Sequence, residues 1–129
     1  MLAFCYKCWN EITSSPTICR KCGCSIDISS HDYEKQLLDL MPNSSAAKRA
    51  EICLVLGQRE KRSANPQLIS IALNDEEAIV RVAALRALGA IGDPSGIEEI
   101  AKVALDLKSP DHVVAKQILH NLKPQASTH

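Results

Sequence analysis

Aromatic side chains are scarce, at 3% of the 129 residues, with a single Phe and a single Trp. A sandwich or barrel builds its core from aromatic and β-branched strands, so this scarcity argues against both. Plentiful Ala, Leu and Ile suit close-packed helices instead. Excess charge of either sign is also missing: 15 Lys and Arg stand against 15 Asp and Glu, and the balance holds along the chain. No global field therefore favours nucleic acid or an anionic membrane. The N-terminal MLAFCYKCWNEI has no apolar run long enough for a signal peptide or a membrane span. A cytoplasmic protein with no membrane partner is expected. The length and the 46% hydrophobic content allow one real core with a small appendage.

A reducing compartment disfavours disulfides and leaves metal binding, catalysis or burial as roles for cysteine. All six cysteines except Cys53 lie near the N-terminus. They include Cys5-Tyr-Lys-Cys8 and, ten residues on, Cys19-Arg-Lys-Cys22. Four thiolates at about 2.3 Å satisfy tetrahedral Zn²⁺ completely, so one structural zinc ion on Cys5, Cys8, Cys19 and Cys22 is predicted. The gap is shorter than the roughly 15 to 20 residues of the common pattern. The same ligands suit iron chemically, and a reduced cysteine cluster without metal is the alternative. Cys24 reads as a bystander. FCYKCWNEI with TICRKCGCSI resembles the short zinc ribbons found at the N-termini of many bacterial and archaeal proteins, over roughly residues 3–28. That resemblance implies a small β zinc ribbon at 1–28. Gly23 keeps the family's glycine after the second knuckle, whereas Trp9 stands at the matching place in the first.

Beyond a short linker at 29–31, apolar residues recur at three and four positions, the helical period. Arg49-Ala-Glu-Ile-Cys-Leu-Val-Leu-Gly57 aligns with Arg81-Val-Ala-Ala-Leu-Arg-Ala-Leu-Gly89, and Asn43 falls opposite Asp75. A weaker third copy follows from Ser109 to Leu122. Cap residues and glycines predict helix pairs at 32–41 with 44–57, 66–73 with 76–90, and 96–107 with 110–122, Gly57 and Gly89 being read as helix ends. Helical repeats would then occupy 32–123, and 124–129 would be a disordered tail. The segment from Asp75 to Pro94 is similar to HEAT repeats related to those of phycobilin lyases. The fold expected is mainly α, a HEAT-type solenoid of about three helix pairs behind the ribbon. The resemblance implies inner helices lining a concave binding surface. It also implies that Asp75 and Arg81, with Asn43 and Arg49, tie neighbouring repeats together.

Catalysis needs a nucleophile or base with an orienting partner. His31, His112, His120 and His129 are scattered, and Cys53 takes the slot of Leu85 in the repeat alignment, as a buried thiol would. The chain is therefore read as no enzyme but a non-catalytic scaffold. Its protein partner would meet the inner helices around Arg81 and Arg86. A second reading is a nucleic-acid-associated factor using Lys7, Arg20 and Lys21 on the knuckles and the Arg59, Lys61, Arg62 loop. A third is an enzyme accessory or lyase-like HEAT protein. The ribbon would also be placed to cap the first repeat near Leu37, Leu38 and Met41. The weak terminal repeat leaves an apolar face open to self-association.

Overall fold

The computed structural model describes residues 3–12, 18–28 and 31–122; the expected tail at 124–129 and most of the linker lie outside these. Six helices follow in order: α1 His31–Leu40, α2 Ala46–Gln58, α3 Asn65–Asn74, α4 Ala78–Ile91, α5 Pro94–Leu105 and α6 His112–Asn121. Short 3₁₀ turns at Met41–Asn43 and Arg62–Ala64 join α1 to α2 and α2 to α3. Helices α3 with α4 and α5 with α6 form packed hairpins, and α2 lies along α4. This makes a layer of α2, α4 and α6 against a layer of α1, α3 and α5.

Local chemistry sets the helix ends, in places two residues away from the sequence expectation. Ser45, not Asn43, caps α2, its hydroxyl accepting the Lys48 N–H at 3.2 Å. Asp93 caps α5 through the Ser95 N–H at 3.2 Å, and Pro94 fits the first helical position, where no N–H is needed. Gly57 and Gly89, expected as ends, lie inside α2 and α4. A Cβ on Gly57 would stand 2.8 Å from Cα of Ala87, and one on Gly89 would stand 2.9 Å from Cγ2 of Ile118. The glycines let neighbouring helices approach closely, a tertiary demand that periodicity does not reveal.

The core is continuous. Leu56, Leu68, Leu85, Leu88 and Ile100 are fully buried between the layers. The same cluster runs through Leu37, Tyr33 and Met41 into Phe4, Cys5, Cys19 and Ile26. Each large apolar side chain so buried contributes roughly 1.5–3 kcal/mol. The two N-terminal turns thus cover α1, which packs only lightly on α2. Among the described residues no strand forms. Antiparallel bridges pair Phe4 with Glu11 and Ile18 with Ser25, less than the β ribbon expected.

Candidate metal centre

Two similar knuckles present the cysteines. In the first, the Cys5 N–H donates to Asn10 O at 2.9 Å and the Trp9 N–H to Cys5 O at 2.8 Å. In the second, the Cys19 N–H donates to Cys24 O at 2.9 Å and the Gly23 N–H to Cys19 O at 2.8 Å. Both need a left-handed residue after the second cysteine, supplied by Gly23 at φ 77° and Trp9 at φ 63°. Glycine adopts this region freely, while a larger residue is strained there by about 1–2 kcal/mol. Trp9 holds it because its ring is anchored. The ring stacks on Phe4 at 4.7 Å, Nε1 donates to Glu51 of α2 at 2.9 Å, and the Lys48 ammonium lies 4.8 Å from its centre.

Sequence neighbours also tie this segment to α1. The Tyr33 hydroxyl donates to Phe4 O at 2.7 Å and accepts the Phe4 N–H at 2.9 Å. Buried Arg59 pairs with buried Glu34, donates to the Ile28 carbonyl, and lies 5.0 Å from the Tyr33 ring centre. The knuckles are docked on the helices.

The sulfurs converge. Cys5 and Cys22 are 3.7 Å apart and Cys8 and Cys19 3.5 Å, and all four lie within 4.8 Å of one another. A tetrahedral ion with metal–sulfur bonds of about 2.3 Å needs sulfurs roughly 3.8 Å apart, so the donor set fits a metal. Backbone N–H groups support the thiolates. Those of Cys22 and Lys21 bring Cys19 down to about 6. Cys22 receives the Cys24 N–H, yet the partial loss of hydration of its sulfur and the other three sulfurs push it up to about 12. Four thiolates this close repel one another until a cation joins them. Cys24 stays outside, its thiol facing the Tyr6 hydroxyl at 3.9 Å. Among the described residues no other group of His, Cys, Asp and Glu converges in this way.

Of the cationic candidates, Lys7, Arg20 and Lys21 are exposed on the knuckles. Arg59 is withdrawn into its ion pair with Glu34, while exposed Arg62 reaches Asp93 at 3.6 Å and Lys61 is half-buried. Arg81 donates to Asp111 at 2.7 Å and to the Asp75 carbonyl at 2.9 Å. Arg49 binds Asp75 through two nitrogens at 3.0 and 3.1 Å, and Ser44 O at 2.7 Å. Both arginines therefore join successive repeats, with the Ser44 carbonyl rather than Asn43 as the near anchor. A further tie was not foreseen: buried Asn65 donates to Asp93 at 3.2 Å and Ser95 at 2.9 Å, linking the starts of α3 and α5. Arg86 is exposed on α4. Cys53 is fully buried and its thiol is pushed up to about 12 by burial, which makes it a poor nucleophile. No helix is long and apolar enough to cross a membrane among the described residues.

Comparison with known proteins corrects the functional expectation. The chain is 38% identical over 76 residues, 58% of its length, to deoxyhypusine hydroxylase of Phaeosphaeria nodorum, covering 22% of that enzyme. It is 36% identical over 80 residues, 61% of its length, to deoxyhypusine hydroxylase of Aspergillus niger, covering 23% of it. The chain thus spans less than a quarter of these relatives. No solved structure matches significantly. Relatives that are enzymes overturn the readings of a non-catalytic scaffold and of no enzyme. The repeats match the family description directly: residues 34–123 match HEAT repeats, and the chain belongs to the HEAT-repeat family.

Proposed function

We propose that the protein is the HEAT-repeat component of a hydroxylase-type enzyme, with a structural zinc ribbon at its N-terminus. The observation that carries the reading is the 38% identity over 76 residues with deoxyhypusine hydroxylase. The shared stretch is 22% of that enzyme, so the proposal concerns a part in hydroxylation played through the repeats and assigns no catalytic residue. The matched hydrogen bonds of the two knuckles support the ribbon. Zinc on Cys5, Cys8, Cys19 and Cys22 would act as a cross-link, since four thiolates leave no open position for substrate or water. The cysteine centre is then separate from the chemistry.

Hydroxylation replaces a C–H bond by C–O–H and consumes an oxidant. The test incubates the purified, metal-loaded chain with a deoxyhypusine-containing peptide, dioxygen and a reductant, alone and together with a deoxyhypusine hydroxylase, and weighs the peptide by mass spectrometry. A chain-dependent gain of one oxygen atom, or a faster gain in the mixture, is expected. A peptide that the chain neither modifies, nor helps to modify, nor retains on a column sinks the reading. Elemental analysis of the chain as purified, before any metal is added, tests the ribbon separately: one zinc per chain is expected, and iron or no metal would overturn that half.

A further inference from the structure

The balanced charge of the chain hides an acidic edge. Residues of the α3–α4 and α5–α6 turns line one cavity of about 500 Å³, large enough to take a whole side chain. Its charged lining consists of the carboxylates of Asp75, Glu99, Asp106 and Asp111 and the cations of Arg81 and Lys102. Arg49 binds Asp75 from outside the lining, and counting it still leaves four carboxylates against three cations. Exposed Glu76 and Glu77 follow Asp75 directly, and exposed Glu98 precedes Glu99. The field at this edge therefore attracts a cation and repels an anion.

Asp111 inside the cavity is one donor short. Its side chain is only 8% exposed, and Oδ2 takes the Arg81 Nε–H at 2.7 Å, but Oδ1 accepts no hydrogen bond among the described residues. The preceding repeat shows the completed pair, in which Arg49 meets both oxygens of Asp75, at 3.0 and 3.1 Å. A carboxylate so enclosed is stabilised by a further donor. Asp106, also lining the cavity, accepts only the Lys108 N–H, at 3.0 Å. Between these acids the wall is apolar, formed by Leu73, Val103 and Pro110. A guanidinium suits all of this: it is a weakly hydrated cation whose fork of N–H groups serves two carboxylates, while its flat faces lie on apolar carbon. An ammonium is a strongly hydrated point charge and fits such a wall less well. Beside the cavity, Leu105 and Leu107 flank Asp106 and are 82% and 77% exposed. A free small cation would leave that apolar surface in water, whereas a polypeptide covers it.

We propose that this edge docks a basic segment of a partner protein, one arginine side chain entering the cavity against Asp111 and Asp106 and its apolar neighbours lying on Leu105 and Leu107. The docking does not rest on the hydroxylase reading, and it stands if the oxygen-transfer assay fails.

The experiment uses the full metal-loaded chain and three fluorescent peptides that share the same leucines and carry Arg, Lys or Glu between them. Anisotropy is expected to show the Arg peptide binding about threefold more tightly than the Lys peptide and at least about tenfold more tightly than the Glu peptide. Asp111→Asn risks the repeat tie, so the exposed Asp106 is the position to change: Asp106→Lys should weaken the Arg peptide about tenfold. Glu60→Lys makes the same change of net charge in the α2–α3 turn, at the other end of the helices, and should leave binding unaltered. Leu107→Ser should weaken all three peptides, with helicity of each variant verified by circular dichroism. Unlabelled N-acetylarginine amide, added as competitor, is expected to displace the Arg peptide only at far higher concentration. No binding of the Arg peptide, binding equal to that of the Lys or Glu peptide, an affinity that survives Asp106→Lys or falls as far with Glu60→Lys, or displacement by the amide at equal concentration, which would make the cavity a small-molecule site, would each overturn the proposal.

Discussion

At the scale of single residues, Trp9 is the most informative side chain. It carries backbone strain at a place built for glycine, and the stack on Phe4 and the bond to Glu51 offset that strain. Trp9→Gly removes the strain and the anchor together. Because a large aromatic contact outweighs a single left-handed residue, the variant is expected to lose about 2 kcal/mol in denaturant unfolding. A variant more stable than the parent would show the ring to be incidental. Gly57 makes the opposite case, since a methyl group there meets the backbone of Ala87 at 2.8 Å. Gly57→Ala should cost about 2 kcal/mol despite alanine's higher helix propensity, because the two helices must move apart.

At the scale of the helix, repeats are joined end to end by arginine and aspartate. Burial alone would raise the Asp75 carboxyl, but hydrogen bonds from Arg49 and the Glu77 N–H, with the charges of Arg49 and Arg81, hold it below the ordinary value. A carboxyl whose folded-state value lies below its unfolded one stabilises the fold above the unfolded value, about pH 4, and loses that contribution as pH falls through the folded one. Asp75→Asn should therefore cost about 2 kcal/mol at neutral pH. Its urea midpoint should also fall less steeply than the parent's below about pH 4. Parallel pH profiles for parent and variant would show that the Arg49 pair contributes little.

Across the whole molecule, the apolar core passes from the cysteine knuckles through Tyr33 and Leu37 to the last hairpin. Solenoid ends expose apolar surface and need a cap, and the N-terminal turns supply one to the first repeat. Removing the metal is then felt by the helices. A strong chelator is expected to lower the melting temperature of the helical circular dichroism signal by on the order of 10 °C. The emission of the single Trp should shift to the red in the same titration, because its ring leaves Phe4. An unchanged helical melt alongside a shifted Trp would mean that the knuckles unfold without the stack noticing. Removing the Arg59 pair with Glu34 tests the same contact from the other side. Arg59→Met should destabilise by about 3 kcal/mol in thermal unfolding, since it leaves Glu34 buried without its cation.

Composition and spacing alone determined that the chain is helical, that it repeats, and that Cys5, Cys8, Cys19 and Cys22 form one set. These are local facts: a 3.6-residue period and a Cys-x-x-Cys turn depend only on near neighbours. The roles of Arg49 and Arg81 as ties came from the resemblance to HEAT repeats, onto which the two arginines align. Three other features were decided by tertiary structure. The glycines at 57 and 89 read as helix ends but serve as contact points, since only the crossing of a second helix makes a Cβ intolerable. Arg59 read as a cation on a loop available to nucleic acid, whereas Glu34, Tyr33 and Ile28 enclose it. The acidic edge was invisible in a net charge of zero, because it depends on which turns lie side by side. The kinship with hydroxylases was likewise outside the reach of motif reading, since HEAT repeats spell out packing and the chemistry of such proteins sits in groups added to it.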